Sequence, residues 1–175
     1  MRSLLHRFDA YVTAQVQGWP HRLRPCMKIA SFIGYPYVTL GVIATGFLVV
    51  GWSAGDFRYA CAGGAIFITH GIGSFLKLTV GRQRPATYLP KRWHVKTHSF
   101  PSGHALGSTA AYGTIALILS NYGLLGMTGA VFLAVLVGVI GVSRIYLGAH
   151  YPSDVVAGWL FGGAGACIAA SFLLS

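Results

Sequence analysis

The sequence is poor in acidic residues and contains no glutamate at all. Its only carboxylate side chains are those of Asp9, Asp56 and Asp154, against 13 lysines and arginines, so the formal net charge is +10. Phosphatases that depend on divalent cations hold them with several carboxylates or with clusters of His and Asp. This shortage of ligands argues against a metal site and indicates chemistry that needs neither a metal nor another cofactor.

Charge of either sign is also scarce. Charged residues make up 9% of the 175 residues and hydrophobic residues make up 54%, whereas about a quarter of a typical soluble domain is charged. The composition therefore indicates a single membrane-embedded domain, residues 1–175. The excess positive charge favours anionic headgroups or phosphate esters as partners, and not nucleic acid, because most residues belong to apolar segments.

Five apolar segments are long enough to cross a bilayer, which requires about 20 residues per helix. The sequence therefore predicts an all-α, polytopic transmembrane bundle with Pro36 as a kink or entry point in its first span. Gly158 and Gly162 form a G-x-x-x-G step, which is typical of membrane helices that approach closely. The predicted spans are residues 29–52, 57–78, 102–120, 127–147 and 152 to the C-terminus.

The N-terminal segment, residues 1–25, has a different pattern. Residues 3–19 place apolar side chains roughly on one helical face, and this pattern predicts an amphipathic helix that lies at the membrane interface. A sixth span is the alternative, but polar residues interrupt the apolar character. The apolar positions are Leu4, Leu5, Phe8, Tyr11, Val12 and Val16, and the interruptions are Arg2, Arg7, Asp9, Gln15 and Gln17.

Three groups of polar residues flank the predicted spans, all within residues 77–154. Consecutive spans alternate in direction, so the end of the second, the start of the third, the end of the fourth and the start of the fifth lie on one membrane face. The three groups are therefore expected to meet. They are Lys77-x₆-Arg84-Pro85, Pro101-Ser102-Gly103-His104 and Ser143-Arg144-x₅-His150-x₃-Asp154.

The chemistry of these groups indicates a phosphate site. Lys77, Arg84 and Arg144 would repel one another, with only Asp154 to offset them, unless they share a bound dianion. Arginine presents a planar fork that matches phosphate oxygens. Ser102 is a suitable N-cap for the third span, and the backbone N–H groups of Gly103 and His104 would then offer an anion site at a helix N-terminus.

The two histidines of these groups supply a nucleophile and a proton carrier. Pro152 suits the first turn of a helix, so the carboxylate of Asp154 can reach back to one ring nitrogen of His150. That contact would fix the tautomer and leave the other nitrogen free to attack phosphorus. His104 has no evident carboxylate partner and is expected to protonate the leaving oxygen and then to activate water.

The sequence resembles the type 2 phosphatidic acid phosphatase family, whose signature K-x₆-R-P, P-S-G-H and S-R-x₅-H-x₃-D is matched without a gap. The resemblance implies a phosphohistidine mechanism in which His150 attacks, Asp154 orients it and His104 handles the leaving-group proton. It also implies phosphate binding by His104 and by five further signature residues. These are Lys77, Arg84, Ser102, Gly103 and Arg144. Membrane members commonly have six spans, whereas five are predicted here.

The predicted function is hydrolysis of a terminal phosphomonoester or diphosphate on a lipid, without a metal. Phosphatidic acid, phosphatidylglycerophosphate, a polyprenyl phosphate or diphosphate, and a lipid A phosphate all remain candidate substrates. Two alternatives share the same site: a lipid-to-lipid phosphotransferase and a vanadate-dependent haloperoxidase-like enzyme. The loop 82–98 is the main candidate for substrate specificity. Its Lys91, Arg92 and Lys96 contact either a headgroup or, the interpretation that is slightly favoured, only the anionic lipid of the bilayer. The sequence leaves the oligomeric state open.

The predicted location is the cell (inner or plasma) membrane, as a multi-pass protein. The positive-inside rule places the active site on the cytoplasmic face, because the opposite side of a five-span bundle carries only Arg58. The family resemblance implies the outer face, where many members act.

Overall fold

The computed structural model describes residues 2–85 and 98–174, and over these ranges the chain is helical and contains no strand. The all-α prediction is confirmed for the described residues. The longer helices are α1 (Arg2–Gln17), α2 (Arg24–Ile33), α4 (Thr45–Ala54), α5 (Phe57–Val80), α6 (Gly103–Asn121), α7 (Met127–Tyr146) and α8 (Pro152–Leu174). Shorter elements are a 3₁₀ turn (His21–Leu23), α3 (Pro36–Val38) and a π-helical stretch (Thr39–Ala44).

Four helical segments are long and apolar enough to cross a membrane: His21–Ala54, Phe57–Val80, Met127–Tyr146 and Pro152–Leu174. They contain four of the five predicted spans. The first is interrupted as expected near Pro36, which begins a new helix after α2 ends at Ile33 with Gly34 as its C-cap. The predicted third span is α6, a helix of 19 residues that is not among the four segments.

Helix α6 needs fewer large apolar residues than a lipid-facing helix because it is the central helix of the bundle. It packs against α5, α7, α8 and the π-helical stretch, and its Ala105, Ala110 and Ala111 are completely buried. Helix α8 approaches it through the G-x-x-x-G step. A Cβ atom at Gly158 would lie 2.8 Å from the carbonyl oxygen of Ser102, and one at Gly162 would lie 2.4 Å from that of Leu106.

The bundle has small residues inside and large apolar residues outside. Alanines from several helices form its main cluster of buried residues, whereas Leu160 is 70% exposed and Ile68 is 65% exposed. Small interior residues and a bulky apolar exterior are characteristic of helices that pack in lipid, where apolar side chains gain nothing by leaving the surrounding hydrocarbon. This distribution agrees with a multi-pass membrane protein.

Two left-handed glycines turn the chain at the end of the bundle that carries the signature residues. Gly81 (φ +62°) ends α5, and Gly148 (φ +71°) follows α7. Both conformations favour glycine because a side chain there would be strained. The two turns direct residues 82–85 and 149–151 across the bundle end, where α6 and α8 begin.

The N-terminal helix α1 contacts α7 and α8 at this same end. Its Leu4, Phe8 and Tyr11 are exposed, which suits the predicted position at the membrane interface. Asp9, one of the polar residues that interrupt the apolar character of α1, is expected to be exposed. It is instead only 2% exposed and is bonded to the start of α8.

Candidate active site

The three signature segments meet at one end of the bundle, as the alternation of spans predicts. Lys77 Nζ donates to the carbonyl oxygen of Pro101, which joins the first segment to the second. Arg84 Nη1 donates to the carbonyl oxygen of Ala149 at 2.8 Å, which joins the first to the third. The backbone N–H of Ser102 donates to the carbonyl oxygen of Asp154 at 2.9 Å, which joins the second to the third.

His150 lies between Arg84 and Asp154. Its Nε2 is 3.3 Å from Arg84 Nη1, and its Nδ1 is 3.6 Å from Asp154 Oδ2, slightly longer than a standard hydrogen bond. Because a guanidinium can only donate, Nε2 must accept and therefore carries a lone pair. The proton belongs on Nδ1, which faces the carboxylate. The arrangement presents Nε2 as the nucleophilic nitrogen.

The surroundings of His150 keep its ring neutral. Burial, assisted by the positive charges of Arg84, Arg144 and Lys77, lowers the pKa of His150 to about 3 against the opposing effect of Asp154. The imidazole is 2% exposed. A neutral ring retains its lone pair at neutral pH, which a nucleophile requires.

The carboxylate of Asp154 is fully buried and bonded through both oxygens. Oδ2 accepts the backbone N–H of Tyr151 at 2.9 Å, and Oδ1 accepts Arg82 Nη1 at 2.6 Å. Pro152 begins α8, so Asp154 lies in its first turn as predicted. A carboxylate held at both oxygens has a fixed orientation toward the imidazole.

The N-terminus of α6 has the predicted anion-site geometry. Ser102 is its N-cap, and the Ser102 side chain accepts the backbone N–H of Ala105 at 3.5 Å. The N–H groups of Gly103 and His104 belong to the first turn, where an α-helix supplies no acceptor. A Cβ at Gly103 would meet only Lys77 Cε, at 3.9 Å, so the backbone there is accessible.

His104 is 9% exposed and packs edge-on against the ring of Tyr35, with the ring centroids 5.3 Å apart. Its Nε2 is buried and makes no hydrogen bond within the described part of the chain. Arg144, on α7, donates through Nη1 to Ser31 Oγ on α2. Tyr35 and Ser31 therefore support two signature residues from a part of the chain that the motifs do not include.

The sequence analysis missed the part of the site that surrounds Arg82. Its guanidinium bonds Asp154, Ser153 and Asp9, with Nη2 only 2.6 Å from Asp9 Oδ2. The sequence analysis did not foresee this pair: Asp9 and Arg82 add one charge of each sign next to Asp154, so Asp154 is not the only acid near the site. The one available signal was rarity: Asp9 is one of only three acids in the chain.

No group of three or more His, Cys, Asp and Glu side chains that could hold a metal ion occurs among residues 2–85 and 98–174. The cationic side chains of the site, those of Lys77, Arg84 and Arg144, suit an anion better than a metal ion. The predicted specificity residues Lys91, Arg92 and Lys96 lie outside the described residues.

Part of this chain is similar in sequence to curated proteins. It is 35% identical over 100 residues to the lipid A 1-phosphatase of Rhizobium etli, covering 53% of this chain and 40% of that protein. It is 39% identical over 108 residues to the decaprenylphosphoryl-5-phosphoribose phosphatase of Mycobacterium tuberculosis, covering 60% and 55%. The matched part is therefore roughly half the length of these curated relatives.

The fold is shared with a solved membrane protein. The transmembrane PAP2 type phosphatidylglycerolphosphate phosphatase from Bacillus subtilis superposes with a TM-score of 0.72 at 22% identity, covering 99% of this chain and 88% of that one. Residues 58–174 match the PAP2 superfamily. This match extends over more than half of the chain and includes all three signature segments, so the chain belongs to the PAP2 superfamily.

Proposed function

We propose that this protein is a metal-independent lipid phosphatase that removes a terminal phosphate through a phosphohistidine on His150. The observation that carries the proposal is the position of His150, whose Nε2 faces Arg84 and whose Nδ1 faces Asp154. A neutral nucleophile beside phosphate-binding cations suits attack on a phosphorus atom.

In the first step, Nε2 of His150 forms a bond to phosphorus while the bond from phosphorus to the lipid oxygen breaks. Protonated His104 gives its proton to that oxygen, and the lipid leaves as an alcohol (or as a shorter phosphate, for a diphosphate substrate). Lys77, Arg84, Arg144 and the α6 N-terminus hold the phosphoryl oxygens and stabilise the charge that develops on them.

In the second step, water attacks the phosphorus of the phosphohistidine and the P–N bond breaks. Neutral His104 accepts a proton from the water, and the products are inorganic phosphate and free His150. Asp154 stabilises the ring in both steps, because phosphorylation at Nε2 gives the imidazole a positive charge opposite the carboxylate.

A lipid substrate is supported by the position of the site and by the relatives. The signature residues lie at the ends of apolar helices, where a lipid headgroup meets the aqueous phase. The matched relatives are named for a lipid A phosphate and for a prenyl-linked phosphoribose. Both names describe a phosphate carried by a lipid, and this is the substrate class that we assign to the chain.

Purified protein should release inorganic phosphate from lipid phosphates in EDTA at the rate seen with Mg²⁺. Vanadate should inhibit, because it can adopt the trigonal-bipyramidal geometry of the transferring phosphoryl group. The assay is phosphate release from a panel of phosphatidic acid, phosphatidylglycerophosphate, polyprenyl phosphate or diphosphate, and lipid A. Activity that is lost in EDTA and restored by Mg²⁺ would contradict the metal-independent mechanism.

For topology we propose five crossings, with α6 as the central one and α1 at the interface on the side of the active site. Helix α6 is about 29 Å long at 1.5 Å per residue, close to the hydrocarbon thickness. Once the phosphate-binding cations and Arg82 are set aside, the basic residues outside the spans still lie almost entirely on the side of the site. The positive-inside rule then places the site at the cytoplasmic face.

A cysteine at Lys91 should resist an impermeant thiol reagent in intact cells, in a background that lacks Cys26, Cys61 and Cys167. A cysteine at Ser53, near the opposite end of the bundle, should react and serves as the matched control. In a bacterium with two membranes, the outer one is permeabilised first. The reverse labelling pattern would place the site on the outer face.

A further inference from the structure

Two of the three carboxylates in the sequence lie beside the proposed nucleophile, although they are 145 residues apart in the chain. Asp9 is 2% exposed and its oxygens accept three hydrogen bonds. Oδ1 accepts the backbone N–H of Ser153 at 2.9 Å, and Oδ2 accepts Ser153 Oγ at 2.7 Å and Arg82 Nη2 at 2.6 Å. A buried carboxylate with this many donors is held in one orientation.

Arg82 connects this carboxylate to Asp154. Its Nη1 lies 2.6 Å from Asp154 Oδ1 and 2.7 Å from Ser153 Oγ, while its Nη2 bonds Asp9. The guanidinium also stacks on the ring of Tyr151, with Cζ 4.3 Å from the ring centroid. Contacts at both nitrogens and on one face fix the plane of the guanidinium, and so fix the Asp154 oxygen that it holds.

The charges of the three residues explain why two acids are needed. Arg82 paired with Asp154 alone would be neutral and would leave little negative potential at His150. Asp9 adds a second negative charge, so that the three side chains together carry a net charge of −1. Asp154 Oδ2, 3.6 Å from Nδ1 of His150, presents this charge to the ring, which must bear a positive charge once Nε2 is phosphorylated.

We infer that Asp9, on the N-terminal helix, and Arg82 are positioning residues that hold Asp154 against His150 and preserve its negative charge for the phosphorylated ring. This inference rests on the phosphohistidine mechanism proposed above. The three residues form what we call the Asp9–Arg82–Asp154 bridge. Through Asp9, the bridge gives α1 a role in positioning the active-site residues in addition to any role at the membrane interface.

Asp9→Asn should lower kcat by about 10- to 100-fold, the range typical of losing an outer hydrogen-bond partner that orients the ligands of an active site. KM should change by less than about twofold, because Asp9 bonds Ser153 and Arg82, neither of which is a proposed phosphate-binding residue. Arg84→Lys provides the contrast, since it weakens a proposed phosphate contact and should raise KM. A kcat for Asp9→Asn equal to that of the wild type would overturn the inference.

A double-mutant cycle separates positioning from a general loss of stability. If Asp9 acts through Asp154, adding Asp9→Asn to Asp154→Asn should cost no further activity, because the carboxylate that it supports is already gone. The same fold-loss in both backgrounds would mean that Asp9 acts independently of Asp154, and would overturn the inference.

The chain offers a matched control in its other Asp–Arg pair. Asp56 and Arg58 form an ion pair at 2.8 Å near the opposite end of the bundle, where the Arg58 side chain is 57% exposed. Asp56→Asn keeps a residue that can cap α5 and should leave kcat unchanged. A loss equal to that of Asp9→Asn would show that removal of any acid damages this protein.

Ser153→Ala tests the bridge without removing a charge, and it decides the matter if Asp9→Asn does not fold. It deletes two hydrogen bonds to charged groups, one donated to Asp9 and one accepted from Arg82, so kcat should fall by about tenfold or more, with KM unchanged. Wild-type kcat in a folded Ser153→Ala protein would count against the inference.

Trapping of the phosphoenzyme distinguishes failure of this inference from failure of the mechanism on which it rests. Wild-type protein quenched during turnover should carry an acid-labile phosphohistidine. If it carries none, the phosphohistidine mechanism fails. If the wild type is labelled and Asp9→Asn forms the intermediate at the same rate, the mechanism stands and the inference alone fails.

Discussion

We expect His150→Ala to abolish turnover and to prevent the protein from being labelled with phosphate. The substitution removes the atom that forms the covalent intermediate, so we expect kcat to fall by about 10⁴-fold or more, the loss typical of a deleted nucleophile. The measurement is lipid phosphate hydrolysis by purified protein, together with acid-labile labelling of quenched enzyme. In the wild type the phosphoryl group should be on Nε2, because Nδ1 faces Asp154.

The His150→Ala protein should still fold and still bind phosphate or vanadate. Arg84 keeps its hydrogen bond to the carbonyl oxygen of Ala149, and Lys77 and Arg144, which we propose also bind phosphate, keep their hydrogen bonds to Pro101 and Ser31. A ligand-induced rise in melting temperature checks this. His6→Ala, which removes an exposed histidine on α1, is the matched control and should leave kcat unchanged. Wild-type rates from His150→Ala would refute the mechanism.

Much of the fold follows from the sequence because membrane helices have simple requirements. Each span needs about 20 apolar residues, and the helix pattern, the break at Pro36 and the approach of α8 at Gly158 can all be predicted on that basis. What could not be predicted is which helix lies at the centre of the bundle. Helix α6, predicted as the span 102–120, is surrounded by other helices, so small and polar residues such as Ser108 and Thr114 are tolerated in it.

One part of the candidate site could likewise be predicted from the sequence, and another part could not. Alternation of the spans was enough to predict that Lys77, His104 and His150 lie at one end of the bundle. Each signature segment adjoins the end of a span, and the direction of that span decides on which side of the membrane the segment lies. The position of Asp9 could not be predicted, because its partners on α8 are more than 140 residues away. An isolated acid on an amphipathic helix is indistinguishable from an ordinary solvent-facing residue until the packing is known.

His104→Ala should act differently on different leaving groups. On a lipid phosphate, whose alkoxide is a poor leaving group, loss of the general acid should lower kcat by about 10²- to 10⁴-fold. On nitrophenyl phosphate the leaving phenolate needs no proton, so formation of the phosphohistidine should continue. Hydrolysis of that intermediate should remain slow, because it requires His104 to accept a proton from water.

The variant should therefore release a burst of nitrophenolate equal to the amount of enzyme and then accumulate phosphorylated His150. His104→Gln is the matched comparison, because it restores a polar side chain near the ring of Tyr35 but cannot carry a proton in exchange. It should behave like His104→Ala. An equal loss on both substrates, with no burst and no phosphoenzyme, would show that His104 serves only to bind phosphate. In that case the buried Nε2, which makes no hydrogen bond within the described residues, would be a donor to the substrate and not the proton carrier.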